Sequence, residues 1–276
     1  MIPSYHKISR PDVEMLLYHD PYSGRIRVDE WVGDLPAGQA LLKGNAPGWA
    51  EKIIVKARRE QVPYLLEEGW IREATIPGYF SGEDLFFLVH YPHLPRSHSG
   101  RREKDLSITR HILDLKRNAV HPSDLPIRRA TREDANKLAS LYQTVFSIYP
   151  TPLDDPAYLR KTMDQGTVYV YIEQDGVILS AASAEINRTF SNAELTDCAT
   201  LPSQQGQGHM AALLAYLEEI LIGESITCLY TICRSASFAM NKVFYNLGYD
   251  YGGCLLNNCN IYSGIENMNV WHKWVK

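Results

Sequence analysis

The sequence predicts an α+β fold with a mixed, mostly antiparallel sheet, and three observations predict it. Two strand patterns joined by the turn Gln174-Asp175-Gly176 require an antiparallel hairpin. Two later amphipathic segments, each followed by a strand pattern, permit parallel crossovers. A segment rich in proline, histidine and basic residues separates two units of different length. We therefore expect an N-terminal partial unit (1–91), a connector with one helix (92–126) and a larger catalytic unit (127–276).

The larger unit has recognisable boundaries for each element. Thr131-Arg-Glu-Asp134 is typical of a capping box, and the proline at 156 suits the first turn of a helix. The predicted order is β-α-α-β-β-β-α-β-α-β-β. Its predicted elements are a strand at 127–130, helices at 131–148 and from 154, strands within 167–187, a strand at 193–201, a helix to 223, a strand at 228–233, a helix at 237–246, and strands near 251–261 and 266–274.

The N-terminal unit imitates the end of the larger one. Residues 52–91 and 228–274 both show a strand, an arginine, a helix, a glycine with an aromatic, and two strands around a Ser-Gly turn. Gly69-Trp70 matches Gly248-Tyr249 in this comparison. The pattern indicates a degenerate internal repeat. The first copy has no glycine-rich loop, so we expect it to support or cover the site and to bind no cofactor. The connector helix is expected near 103–118.

Composition excludes several classes of function. The chain has 276 residues, 45% of them apolar, and a formal net charge of −4, which offers no basic field for nucleic acid. The start lacks a signal-peptide core, and the apolar run ALLAYLEEILIG is interrupted by Glu218 and Glu219, so no membrane association is expected and the protein is predicted to be cytoplasmic. The five cysteines lack a CxxC spacing, which predicts neither disulfides nor a metal site.

The stretch LPSQQGQGHMAALL (201–214) is the main candidate for a ligand site, because glycines before a helix expose backbone N–H groups to an anion. The Walker A pattern fails, since His209 and Met210 follow the second glycine. The dinucleotide fingerprint matches 206–211, but Arg234 stands where an acid would hold the ribose. The acyl-CoA pattern Gln/Arg-x-x-Gly-x-Gly/Ala fits from Gln205, with Met210 at its last, small position.

Element order and longer segments extend this match. The segments are SAEINRTFSNAELTDCATLP, QGQGHM, FAMNKVFYNLGYDYGGCLLNNCNI, ENMNVW and, in the first unit, IPGYFSGED. With them the chain resembles the GNAT acetyltransferase family, and within it the β-lysine N6-acetyltransferases that make the osmolyte Nε-acetyl-β-lysine. The resemblance covers nearly the whole chain. It implies the GNAT fold, acetyl-CoA as co-substrate, a small-molecule amine as acceptor and no metal; a homodimer is compatible with it.

The resemblance also implies a cofactor site. Backbone N–H groups of the glycine-rich loop would hold the CoA pyrophosphate, and the strand before it would bind pantetheine and offer an N–H to the thioester oxygen. Met210 departs from the general family pattern, although it fits the subfamily. The residues implied are Ala199, Thr200, Leu201, Gln205, Gly206, Gln207, Gly208, His209, Met210 and Ser237.

Acetyl transfer to an amine requires a proton acceptor. Glu194, Asp197 and Glu185 are the candidates, and Glu194 is ranked first because it fits the position where some GNAT enzymes keep their base. In a regular strand Glu194 and Asp197 face opposite sides, so only a bulge would place both in one cleft. The family's tyrosine acid falls at Phe244 here, which leaves the neighbouring Tyr245 or a water to protonate the thiolate.

Acceptor recognition is assigned by charge. Arg188 and Arg234 could hold a carboxylate, and Asn257, Asn258 and Glu266 a second amine. Two alternatives stay open at this point: an acetyltransferase for lysine or a polyamine, and a non-catalytic acyl-CoA sensor.

Overall fold

The computed structural model describes residues 3–121, 123–124, 126–261 and 264–275. Its first part contains six strands and two helices, followed by the connector helix α3. These elements are β1 (Ser4–Arg10), β2 (Val13–Asp20), β3 (Arg25–Gly33), α1 (Leu35–Asn45), β4 (Lys52–Ala57), α2 (Val62–Glu67), β5 (Ile71–Phe80), β6 (Glu83–His90) and α3 (Arg102–Asp114).

The second part follows the predicted element order, and the α+β class with a mixed sheet is confirmed. Side chains of Asp155 and Ser237 cap α5 and α7, as their positions before the helices suggest. The elements are β7 (Ile127–Arg129), α4 (Ala135–Val145), α5 (Pro156–Asp164), β8 (Val168–Gln174), β9 (Val177–Asn187), β10 (Asn192–Thr200), α6 (His209–Gly223), β11 (Cys228–Arg234), α7 (Phe238–Asn246), β12 (Asp250–Ile261) and β13 (Gly264–Trp274).

The thirteen strands of the described residues form one sheet in the order β1-β2-β3-β4-β6-β5-β12-β13-β11-β10-β9-β8-β7. The order is nearly palindromic about the β5–β12 boundary. On each side one pair is parallel, β3 with β4 and β10 with β11, and the other pairs are antiparallel. A single register pair, Gly253 with Ala74, joins the halves. The sheet thus runs without a break across the predicted boundary between the units.

The internal repeat is larger than the sequence comparison indicated. β1, β2, β3 and α1 stand in the first half where β8, β9, β10 and α6 stand in the second. The predicted repeat began only at residue 52, because β1, β2 and β3 occupy the same places in the sheet as β8, β9 and β10 but share no sequence pattern with them. The N-terminal half therefore repeats the sheet and the first sheet-covering helix, and its described residues contain no counterparts of β7, α4 and α5.

The two faces of the second half have different partners. Helix α6 packs on one face, where Leu213, Leu214 and Leu217 are fully buried with Leu195 of β10. Helices α4 and α5 cover part of the opposite face through a second cluster that includes Tyr169 and Tyr171. A central cluster joins residues of both halves. No helix in the described ranges is both long and apolar enough to cross a bilayer.

The sheet is strongly curled. Tyr79 of β5 and Tyr230 of β11 have ring centroids 5.4 Å apart, although two strands lie between them in the sheet. In a flat sheet three strand spacings would be about 14 Å. The hydroxyl of Tyr79 also accepts a hydrogen bond from Nζ of Lys56 on β4 at 3.1 Å. The curl therefore brings β3 and β4 of the first half over the concave face of β10 and β11.

Candidate active site

The glycine-rich loop leads into α6 with two left-handed residues. Gly206 and Gly208 have φ of +81° and +82°, and a Cβ on either would meet no atom within 4 Å. The first α6 bond runs from the Ala212 N–H to the Gly208 carbonyl, and no described side chain caps this helix. The helix start therefore presents N–H groups and its positive dipole end to open space, which suits an anion.

The matching helix start in the first half is closed. Asp34 caps α1, and its carboxylate accepts the Ala37 N–H at 2.7 Å. The acid takes a donor that a phosphate would need and repels the phosphate charge. This geometry gives a physical reason for the expectation that the first copy binds no cofactor.

Next to the loop, β10 and β11 separate. They pair in parallel only from Asn192–Glu194 to Cys228–Tyr230, which leaves the rest of β10 free on that side. The Leu201 N–H donates to the Leu179 carbonyl at 2.9 Å, on the β9 side. By the alternation of a strand, the N–H of Thr200 then faces the gap. Among Ala199, Thr200 and Leu201, Thr200 is thus the best placed backbone donor for a ligand in the gap.

A β-bulge decides where the acids lie. The β9–β10 register shifts between Thr196 and Ala199, and Asp197 adopts a φ of +49°. The bulge returns Asp197 to the face of Ser183, whose hydroxyl donates to Oδ2 at 2.7 Å. Glu194 is paired directly with Glu185 on the same face. All three predicted carboxylates therefore share one side of the sheet, opposite α6.

Glu194 is poised between its charged and neutral forms. Burial and, after it, the charge of the nearby Glu185 raise its pKa, Lys56, Arg27 and a hydrogen bond from Tyr230 lower it, and the net pKa is about 7. Glu185 keeps more contact with solvent, and desolvation also raises its pKa, with Arg27 and Lys56 opposing. A carboxyl group with a pKa near neutrality accepts and releases a proton most readily at pH 7.

Asp197 has a similar pKa for a different reason. Its side chain is 5% exposed, and burial, together with the charge of Glu185, raises its pKa to about 7. The hydroxyls of Tyr149 and Ser183 donate to its two oxygens at 3.0 and 2.7 Å and lower the pKa. Tyr149 also lines a cavity of about 530 Å³ that the 146–154 loop shares with Tyr22 of the first half.

The first half adds charged residues that the sequence did not single out. Arg27 of β3 donates to Asp29 at 2.6 and 2.9 Å, and Nζ of Lys56 lies 3.0 Å from the same carboxylate. Burial disfavours the ionised Asp29, but Lys56 and Arg27 outweigh it and hold its pKa well below the usual range. These residues face Glu185 and Glu194 because the sheet is curled. No local sequence pattern encodes that curl, so the sequence alone did not indicate them.

Most of the residues predicted to bind the acceptor are engaged with other partners, and two of them, Arg234 and Glu266, pair with each other. Arg234 forms a bidentate pair with Glu266, both bonds at 2.8 Å, and Arg188 pairs with Glu224 at 2.6 Å. Asn257 donates to carbonyls of the segment before α3. Asn258 is buried on β12.

The other predicted site residues also have defined places. The Tyr245 hydroxyl donates to the Leu115 carbonyl of the connector at 2.8 Å. Met210 is 9% exposed and packs with the α6 core, so its size is accommodated in the core and not in the loop. His209 is buried at the helix start, and its Nε2 has no partner among the described residues.

Comparison with known proteins agrees with this geometry. Residues 135–249 match the acetyltransferase (GNAT) family. The chain is 37% identical to the N-acetyltransferase YodP of Bacillus subtilis over 96% of this chain and 98% of the relative. It is 35% identical to the beta-lysine N(6)-acetyltransferase of Methanosarcina mazei, over 80% of this chain and 90% of the relative. The enzyme of the same name from Methanococcus maripaludis is 32% identical, with 80% and 82% covered.

The chain belongs to the GNAT acetyltransferase family. The resemblance drawn from the sequence is confirmed, and the protein is an acetyltransferase of GNAT type, with acetyl-CoA as the acetyl donor. The open helix start of α6 and the gap between β10 and β11 fit such a donor. No cluster of three or more metal-ligating side chains occurs within the described ranges.

Proposed function

We propose that this protein transfers the acetyl group of acetyl-CoA to the ε-amine of β-lysine by direct attack in a ternary complex. The observation that carries the chemistry is Glu194, whose pKa of about 7 and place beside the β10–β11 gap suit a base. Two relatives that share most of the chain carry the β-lysine name, which supports this acceptor.

The proposed base answers the main chemical obstacle. An ε-ammonium group has a pKa of about 10.4, so at pH 7 only about one molecule in 2,500 is the free amine. Glu194, ionised in about half of the molecules at pH 7, accepts that proton within the site, directly or through a water. The amine nitrogen then bonds to the acetyl carbon and loses its second proton to water, the C–S bond breaks, and the electron pair leaves with sulfur as the CoA thiolate.

The remaining groups take supporting roles in this proposal. Backbone N–H groups from Gln205 to Met210 hold the pyrophosphate, and the Thr200 N–H stabilises the oxygen of the tetrahedral intermediate. Asp197 receives the proton from Glu194 or from water, since its pKa is equally near 7. The Tyr245 hydroxyl is engaged with the connector, so solvent supplies the proton that converts the thiolate to the thiol.

The test is a thiol-release assay with acetyl-CoA and a panel of acceptors. We expect β-lysine to give the highest kcat/KM, ahead of lysine and spermidine, and mass spectrometry to locate the acetyl group on the ε-amine. A higher kcat/KM with lysine or spermidine would refute the acceptor but keep the enzyme class. Tight CoA binding without amine-dependent thiol release would favour an acyl-CoA sensor.

A further inference from the structure

The repeat places an arginine and a glutamate at matching positions. Arg27 is the third residue of the parallel β3–β4 pairing, and Glu194 is the third residue of the parallel β10–β11 pairing. Each is also paired on its other side with the preceding strand, Arg27 with Tyr18 and Glu194 with Glu185. Where the second copy has two carboxylates, the first has a guanidinium packed 5.0 Å from a tyrosine ring.

Curling of the sheet brings these matching positions together. Six strands separate β3 from β10, which would be about 34 Å in a flat sheet. Yet the charges of Arg27 and Lys56 act on the titration of both Glu185 and Glu194. A line of polar contacts connects the sides as well, from Nζ of Lys56 to the Tyr79 hydroxyl and onward to Tyr230.

The two sides carry opposite charge. Arg27 and Lys56 share the single carboxylate of Asp29, which leaves one net positive charge in what we name the basic pole (Arg27, Asp29 and Lys56). Its side chains are partly buried, with 26%, 12% and 13% of Arg27, Asp29 and Lys56 exposed. Glu185 and Glu194 form the acidic pole opposite. An acceptor with an ammonium at one end and a carboxylate at the other matches both poles.

We propose that the basic pole binds the carboxylate of the acceptor, with Arg27 as the principal contact, so that the degenerate copy selects amino acids over simple diamines. This inference rests on the function proposed above. A guanidinium fork that already holds one carboxylate on one edge has further N–H donors for a second. Lys56, fixed by Asp29 and Tyr79, offsets the charge of Asp29, so that the charge of Arg27 is left to balance the acceptor carboxylate.

The experiment compares two acceptors that differ only in the carboxylate: β-lysine and the diamine that remains when its carboxylate is removed. In Arg27→Met we expect kcat/KM for β-lysine to fall by about 10- to 100-fold, the range of a charge-assisted hydrogen-bonded contact. The diamine should fall at least about fivefold less than β-lysine, because it makes no such contact, and a change shared by both acceptors measures the effect of Arg27 on Glu194. Arg27→Lys, which keeps the charge but loses the fork, should retain part of the preference.

The control is Arg59→Met, which removes an arginine of the same half that pairs with Asp84 at 2.7 Å on the exposed surface. It should leave both acceptors unchanged. An equal fall for β-lysine and the diamine in Arg27→Met would overturn the proposal and assign Arg27 to tuning Glu194 or to folding. If Arg27→Met unfolds at a lower urea concentration than wild type, the same comparison of the two acceptors is made in Lys56→Met, which removes the other cation of the basic pole.

Failure of the proposed function would be visible separately. If wild-type protein acetylates lysine better than β-lysine, the same comparison is made with lysine and its decarboxylated product, cadaverine. Loss of preference for the carboxylate in Arg27→Met would then uphold the basic pole although the acceptor was different. No preference for the carboxylate in wild type, with either pair, would overturn it.

Discussion

Replacing Glu194 with glutamine should produce a deficit that depends on pH in a specific way. Wild-type enzyme binds the ammonium form and removes its proton with Glu194, so log kcat/KM rises with a slope of one up to pH about 7 and then levels. The sign follows from the raised pKa, since the base form is lost as pH falls through 7. Glu194→Gln must draw on free amine from solution, so its rate continues to rise toward the pKa of the amine.

The size of the deficit follows from the two pKa values. At pH 7 the variant has about one free amine in 2,500 and the wild type has about half its Glu194 ionised, which gives a deficit of about a thousandfold. At pH 9 the free amine is about one in 25, and the deficit shrinks to about 25-fold. Thiol release from acetyl-CoA with β-lysine, measured from pH 6 to about 9.5, records both values.

The control for Glu194→Gln is the unfolding transition in urea, which should show a folded variant at every pH used. A deficit that stays constant between pH 7 and 9 would refute the assignment of Glu194 as the base and point to a positioning role. A deficit below about tenfold at pH 7 would indicate that Asp197 or Glu185 is the base instead. The same measurement in Asp197→Asn and Glu185→Gln would then identify which of the two it is.

Three further predictions concern other features. Gly208→Ala should lower CoA affinity at least about tenfold by calorimetry, because φ is +82° there. The control is Gly166→Ala, at φ +102° and also with no atom within 4 Å of a Cβ, which should lose similar stability and no CoA affinity. Equal CoA affinity in the two variants would contradict the proposed phosphate site. Burial raises the pKa of Asp197 from 3.8 to about 7, so its stabilising contribution is lost as pH rises through 7. Relative to wild type, Asp197→Asn should therefore gain up to about 4 kcal/mol of unfolding free energy between pH 4 and 8 in urea melts, and a flat difference would refute the pKa. Gly253→Ala should destabilise the fold by about 2 kcal/mol or more, since a Cβ would lie 2.3 Å from a backbone carbonyl of β5. Gly264→Ala, with a φ of +136° but no atom within 4 Å, measures the backbone strain alone. Equal losses of unfolding free energy in the two variants would show that the close contact at Gly253 has no effect.

Local chemistry made much of the fold predictable from sequence. The caps of α5 and α7 at Asp155 and Ser237 depend only on short polar side chains before a helix, and both helices were predicted to start within two residues of their observed starts. The glycines before α6 predict an open helix start, because glycine has no side chain that could cap the helix. The hairpin at Asp175-Gly176 fixes the β8–β9 register, and the turn at 188–191 connects β9 to β10, whose register pairs Glu185 with Glu194.

The rest of the site depends on long-range geometry. The bulge at Asp197 requires a left-handed aspartate, a conformation that the neighbouring strands impose and that its own residue type does not specify. The place of Arg27 depends on curvature summed over six intervening strands, so the sequence offered no reason to choose it over Arg188 or Arg234. The signal that could have identified it is the repeat itself, extended back to β3.

The duplicated sheet has one consequence for how such a site arises. Two identical subunits related by a two-fold axis carry the same side chain at equivalent positions, so acids would face acids across the cleft, or bases would face bases. Fusion of both copies into one polypeptide breaks that equality, because each position can then mutate alone. A homodimer could not place an arginine across the cleft from a glutamate at the equivalent position, as this chain does with Arg27 and Glu194.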